Sequence, residues 1–397
     1  MGSSLRTAFW TIIWIVIIFF IAWGINRYRS SENSPDKAVV QGEDIEPANP
    51  GGDWPRFHGS RTQTGFVSGS LPDKPALAWR FKAGDEVKSS PAVVNGIVYV
   101  GSLDKHLYAI DAETGKQVWS ILLDDGIESS PAVAEDTVYT GTLSGTFYAL
   151  DAISGTERWK FAADDKITGC ANWFKDRDGN LSILFGSYDS SLYCVDGVTG
   201  KLLWKYQSGS YINGSPALDG EYAVFGGCDA VIHMVSVKDG TKKGGIDSGA
   251  YIAGSAAIHE KNTYIGNYDG ELIKASLESG RIIWRYSAGR DPFISSPAVT
   301  DKVAVIGGGD MNVHCIDTGT GKPLWTCKTL DAVNSSPVIV SDRVLAGGED
   351  GRLYILSLED GKLIWSFETG RSITSSPAVA KGRIVAGCDD GMVYCFK

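Results

Sequence analysis

The sequence predicts an all-β fold: an eight-bladed β-propeller closed by an N-terminal strand and preceded by one transmembrane helix. Three observations predict it. A phrase of the type Ser-Ser-Pro-Ala-Val recurs through the chain, a Trp returns at one fixed place in most repeats, and residues 8–25 carry no charge. The phrase stands at 89–93, 129–133, 295–299 and 375–379, with variants starting at Gly169, Gly214, Gly254 and Ser335. Successive starts are 40, 40, 45, 40, 41, 40 and 40 residues apart. A period of this size with strand-like patterning marks units that cannot bury their own faces and must stack on neighbours.

Residues 1–7 form a short N-terminal tail, and 8–25 (AFWTIIWIVIIFFIAWGI) form a transmembrane anchor. At about 1.5 Å per residue the run spans roughly 27 Å, enough to cross a bilayer core. Trp10, Trp14, Trp23 and Tyr28 include candidates for interfacial anchors. The rival readings are a cleaved signal peptide and a lipoprotein signal. No small-x-small site follows the run, and the first cysteine is Cys170, so an uncleaved signal-anchor is expected. Arg6 lies on one side and Arg27, Arg29 and Lys37 on the other, so charge alone does not orient the span. Residues 26–52 are a polar, flexible linker with a reach on the order of 25–30 Å. A lead-in segment, 53–76, precedes the propeller proper at 77–397.

The first repeat shows the pattern of a blade. Ser90–Val94 is a strand and Asn95-Gly96 a two-residue hairpin turn, followed by a second strand at Ile97–Val100. His106–Ile110 is the third strand, Asp111–Gly115 a turn and Gln117–Ile121 the fourth. Short apolar strands punctuated by Gly and Asp suit an antiparallel meander. The recurrent indoles are Trp79, Trp119, Trp159, Trp204, Trp284, Trp325 and Trp365. One large indole per blade is expected to pack between blades. The last repeat ends at its third strand, Val393–Lys397, whereas Leu77–Lys82 is a Trp strand with no blade of its own. Joining the two closes the ring and removes exposed sheet edges.

Formal charge is −10. An acidic surface repels phosphate backbones, so no nucleic-acid partner is expected. The seven cysteines show no C-x-x-C spacing, and most read as small buried residues. Cys315 and Cys327 flank one hairpin and could pair in an oxidising compartment. The five histidines are dispersed, with His233 and His314 on third strands where Tyr is usual. Two repeats depart from the pattern. The third inserts Phe174–Asn180, where Asp176, Asp178 and Asn180 alternate as oxygen ligands do in calcium loops, although an extended Asp-Gly hairpin explains them as well. Elsewhere Gly244 replaces the Trp within Thr241–Gly245, and Ala256 replaces the Pro. That fourth strand is expected to be weak and open to an added strand or partner, or a degenerate copy.

The segment Ala109-x-Asp111-x-x-Thr114-Gly115-Lys116-x-x-Trp119 resembles the tryptophan-docking motif of pyrroloquinoline-quinone (PQQ) dehydrogenases and PQQ-like propellers. Asp151…Trp159, Asp196…Trp204 and Asp317…Trp325 repeat it, and Asp53–Gly59 with Thr64-Gly65 resembles the lead-in of such propellers. The resemblance covers about 53–397. It is strongest toward the non-catalytic members of the type of the outer-membrane-protein assembly factor B. It implies an eight-bladed docking scaffold outside the cytoplasm, though this chain has an anchor where that type has a lipobox.

The expectation is therefore a non-catalytic protein-binding scaffold of the cell envelope, held in the cytoplasmic membrane by residues 8–25 with the propeller on the periplasmic side. Its partners would be other envelope proteins. A central channel and short loops on both faces would offer the docking surface. No catalytic, cofactor-binding or metal residue is expected. The alternative is a PQQ-dependent oxidoreductase or quinone-binding protein using PQQ with calcium. Against it, no two cysteines are adjacent to form the vicinal disulfide that the quinone enzymes carry, and no long insertion encloses a pocket.

Overall fold

The computed structural model describes residues 52–397; the tail, the anchor and linker residues 26–51 lie outside them. Among the described residues no helix is long and apolar enough to cross a membrane. The secondary structure consists of β-strands in eight sheets. Blades I to VII span 92–122, 132–162, 172–207, 217–247, 257–287, 298–328 and 338–368. Blade VIII takes three strands from 378–396 and its fourth from Leu77–Lys82.

This is the expected closure. Leu77–Lys82 pairs antiparallel with Met392–Phe396, and Ala76 and Lys397 exchange backbone hydrogen bonds beyond it. First strands line the hub and fourth strands form the outer rim. Turns 1–2 and 3–4 lie on one face, called here the hairpin face. Turns 2–3 and the links between blades lie on the other, the loop face. Asn95 (φ 52°) and Gly96 (φ 79°) make the expected hairpin turn with both residues left-handed.

Apolar side chains are buried between successive blades. Tyr99, Leu107 and Ala109 of blade I, for example, join Val133, Val138 and Tyr148 of blade II in one cluster. The repeated Ser residues tie the hub together. Ser90 N–H donates to Ser130 Oγ, and the same bond runs from Ser215 to Ser255, Ser255 to Ser296, Ser296 to Ser336, Ser336 to Ser376 and Ser376 to Ser90. Cys170 N–H donates to Ser215 Oγ. Cys170 stands where the other blades carry the hydroxyl.

Three expectations need correction. The channel is not open from end to end, because the lead-in threads its hairpin-face half. Trp54 pairs with Val93 of blade I, and Pro55 O accepts from Val133 of blade II. Arg56 donates to Asn172 of blade III (2.6 Å) and lies 3.6 Å over the Trp173 ring. Arg61, Thr62 and Thr64 carbonyls accept from Leu218, Ile258 and Val299 of blades IV to VI, and Phe66–Val67 runs parallel to Ile339–Val340 of blade VII. Secondly, Gly244 does not interrupt its strand. Lys242–Asp247 is as long as its counterparts and pairs fully with Val231–Ser236. Met234 stands opposite Gly244, where other blades set Ala109, Ala149 or Cys194 against Trp, so bulk is exchanged across the pair. Thirdly, Cys315 faces Trp325 and Cys327 faces Val313; both thiols are free and their register does not bring them together.

Candidate docking face

On the loop face, one residue of each 2–3 turn is held in the same way. Its N–H donates to a carbonyl of the preceding link: Leu103 to Glu86, Leu143 to Gly126, Tyr188 to Lys166 and Cys228 to Tyr211. Tyr268 to Tyr251, Gly309 to Pro292, Glu349 to Ala332 and Asp389 to Ser372 complete the circle. The backbone frame repeats eight times while the side chain changes from blade to blade. A fixed frame with a variable side chain suits recognition, since packing does not dictate the residue.

The circle is asymmetric. Blades III to V present an arc of tyrosines. Tyr188 stacks on Tyr211 (5.3 Å between centroids) beneath the Lys166 ammonium (4.1 Å), and Tyr211, Tyr251 and Tyr268 are 49%, 59% and 45% exposed. Blades VII and VIII present acids. Asn334 donates to Glu349, and Thr374 donates to Asp389 at 2.8 Å. Burial raises the Asp389 carboxyl above its ordinary value, while Thr374 and the Lys88 ammonium work to lower it. Loops of this face carry acids around the ring, among them Asp85, Asp125, Glu128, Asp165, Asp269, Asp291 and Asp331. Their basic residues are Lys88, Lys105, Lys166, Arg290 and Arg371.

Beneath this surface, a carboxylate in most 2–3 turns clamps the blade. Asp104, Asp189, Asp350 and Asp390 each accept from the Tyr hydroxyl four residues on. Where Tyr becomes His, the carboxylates of Asp229 and Asp310 meet Nε2 of His233 (2.9 Å) and His314 (3.1 Å). The other ring nitrogen of each meets a Tyr hydroxyl of the preceding blade, Tyr206 or Tyr286. Burial lowers the His233 imidazole, opposed by Asp229. These histidines are packed and satisfied on both sides, which is a structural use of the ring.

A family model described as outer membrane protein assembly factor BamB matches residues 67–172, 178–287 and 229–397. The chain belongs to this family. BamB from Moraxella catarrhalis is similar in structure, with a TM-score of 0.69 at 19% identity, covering 81% of this chain and 97% of that one. Quinohemoprotein alcohol dehydrogenase from Comamonas testosteroni gives 0.75 at 16%, covering 90% and 83%. The computationally designed Ika8 protein gives 0.69 at 16%, covering 82% and 99%. At these identities the likeness shows the PQQ-like propeller fold alone. No curated protein sequence matches the chain.

The seven tryptophans lie at the rim, between blades. Indole Nε1–H of Trp79, Trp119, Trp159, Trp204, Trp284 and Trp325 donates to the carbonyl of Ala112, Ala152, Gly197, Val237, Thr318 and Leu358 in the next blade. Trp365 packs edge-on against Phe396 of blade VIII. Asp176 accepts from the backbone of Asp178 and Asn180 and from the Asn180 amide, all at 2.9 Å, so its carboxylate folds the hairpin tip. Among the described residues, a different trio brings possible metal-ligand atoms within 4.8 Å of one another: His259, Glu260 and Asp301 on the hairpin face. His259 Nε2 already meets Asp301 at 2.7 Å, which makes an inter-blade hydrogen bond the simpler use of the trio. Sequence reasoning missed the tyrosine arc and the lead-in's place in the hub. The alternation of Tyr-Ile-Asn/Ala-Gly-Ser at 211–215 and 251–255 was the available signal for the arc.

Proposed function

We propose that this protein is a non-catalytic docking scaffold of the cell envelope whose loop face receives a positively charged partner protein. The observation that carries the reading is the circle of 2–3 turn residues, fixed in backbone and varied in side chain, with exposed tyrosines on one arc. Tyrosine supplies large contact area at small entropic cost and is enriched where proteins meet. The acids around it favour a cationic surface and speed its approach.

Anchorage fits this polarity. Trp54 enters the hub at the hairpin end of blade I, and Asp53 contacts Lys381 and Asn95 there. The chain preceding the propeller therefore joins it on the hairpin face, on the side opposite the proposed docking surface.

A quinone does not fit the residues present. PQQ carries three carboxylates, and the inner rim offers Lys88 against Glu128, Glu349 and Asp389. The opposite half of the hub holds the lead-in. Calorimetry with PQQ and calcium is expected to give no heat of binding; micromolar binding would replace the scaffold reading with the quinoprotein one.

A photo-crosslinking amino acid at Tyr251, with Lys201 on the hairpin face as control, tests the docking face in intact cells. Crosslinks to a basic protein at 251 but not at 201 are expected. Equal yields at both, or crosslinks at 201 alone, would overturn the assignment.

A further inference from the structure

On the hairpin face, the first residue of a blade's second strand lies toward the 3–4 turn of the next blade. Between blades VIII and I these two places hold Arg383 and Glu113, and the ion pair they form bridges the boundary. In blade II the strand starts at Thr137, and Arg158 of the fourth strand donates to its hydroxyl at 2.8 Å. The counterparts at the boundary of blades I and II are Ile97, Val118 and Ile153. They form no such bridge and line a cleft of about 320 Å³.

Val94 and the buried Tyr99 and Val133 also line the cleft. Val118 and Ile153 stand 51% and 78% exposed at its sides, where covering them would be favourable. Its polar chemistry is narrow. The Ala152 carbonyl already accepts from the Tyr99 hydroxyl and the Trp119 indole N–H, both at 3.1 Å. Glu135 and Asp151 are taken by Lys175 (2.8 Å) and Arg158 (2.7 Å). That leaves Asp136, an exposed lining carboxylate with no ion-pair partner among the described residues. None of the lining residues is Lys or Arg. Burial, then the Asp151 and Asp136 carboxylates, push the Tyr99 hydroxyl up to about 12, so the field in the cleft is negative.

We infer that this cleft is a binding site for a small amphiphilic cation of the arylalkylammonium class, its apolar group between Val118 and Ile153 and its ammonium on Asp136. Apolar walls with one available carboxylate select a mostly apolar ligand bearing a single positive charge. The volume lies at the low end of small-molecule clefts, about 300–1,000 Å³, which suits one ring and a short chain. A neutral analogue gains the walls alone, and an anion is repelled. The site lies on the face opposite the tyrosine arc and stands without the docking reading.

The test follows the Ile153 and Val118 methyl resonances of the full chain in detergent. Phenethylammonium, 2-phenylethanol or 3-phenylpropionate is added in turn. Phenethylammonium is expected to shift both residues saturably, and 3-phenylpropionate to shift neither. Asp136→Asn should weaken phenethylammonium by about threefold, the size of one exposed ion pair, and leave 2-phenylethanol unchanged. Ile97→Arg with Ile153→Glu installs the bridge of blades VIII and I and, read on Val118, should abolish binding at an unchanged melting temperature. Val118→Arg, the residue of blade II, is a milder closure that guards against a misfolded double variant; it should weaken binding by about tenfold. Val198→Ala, at the place of Ile153 in blade III, should change nothing. The inference is overturned by any of three results: no saturable shift in the unmodified chain, unchanged phenethylammonium affinity in Asp136→Asn, or undiminished binding by both closed variants.

Discussion

His58 is wholly buried in the hub and stacked on Phe57 at 4.4 Å. Its Nδ1 meets the Gln63 carbonyl at 3.1 Å, and since a carbonyl only accepts, Nδ1 carries the proton and Nε2 the lone pair. Burial brings its pKa down to about 4 from 6.5, the Gln63 carbonyl opposing. The unfolded chain therefore binds a proton below about pH 6.5 that the folded chain refuses until about pH 4. Stability is lost as pH falls through that window, by about 3 kcal/mol from this group. Denaturant titrations at pH 7 and pH 4.5 should show the loss, and His58→Gln should flatten it, although that variant starts from lower stability. An unchanged slope in the variant would place the acid sensitivity elsewhere. Nothing in the sequence marks this histidine, because its burial comes from seven blades gathered around it. The Ser-Ser-Pro phrase was legible as a repeat marker, but the relay of Ser Oγ acceptors was not, since each bond joins residues of different blades.

At the scale of elements, turns and strands followed from local chemistry. Asp111, Asp151, Asp196 and Asp317 each accept from the N–H and hydroxyl of the Thr or Ser three residues on. The Asp-x-x-Thr-Gly motif is therefore readable as a turn from any single copy. The closing strand was equally legible, because the register leaves one Trp strand without a blade and one blade without a Trp strand. Leu77–Lys82 seats Trp79, 8% exposed, against blade I. Deleting 75–84 unpairs Met392–Phe396 and removes an indole, a loss of several kcal/mol. The melting temperature should fall by roughly 10 °C or more. Removing 30–45 from the linker should leave it unchanged, and equal losses would refute the clasp. The Gly244 strand is fully paired because ladder hydrogen bonds do not depend on the side chain. Backbone pairing and Met234 hold it in place.

For the molecule as a whole, eightfold repetition gave the architecture, while the acidic loop face and the tyrosine arc emerge only when distant turns are brought to one surface. Their placement opposite the lead-in gives the particle two unlike faces. If the hairpin face looks toward the membrane from outside the cytoplasm, protease added to intact spheroplasts should digest residues 52–397. A propeller protected until lysis would reverse the orientation.

The lead-in and Leu77–Lys82 leave the ribosome long before the strand they must meet: Lys82 and Asp390, in contact across the seam, are 308 positions apart. At typical elongation rates the nascent chain would wait about 15–60 s with an unmated strand and an apolar, tryptophan-bearing plug segment exposed. Closure of this ring therefore waits on Met392–Phe396, and a product stalled before that strand would present a sticky edge to any holdase, translocon or sister chain nearby.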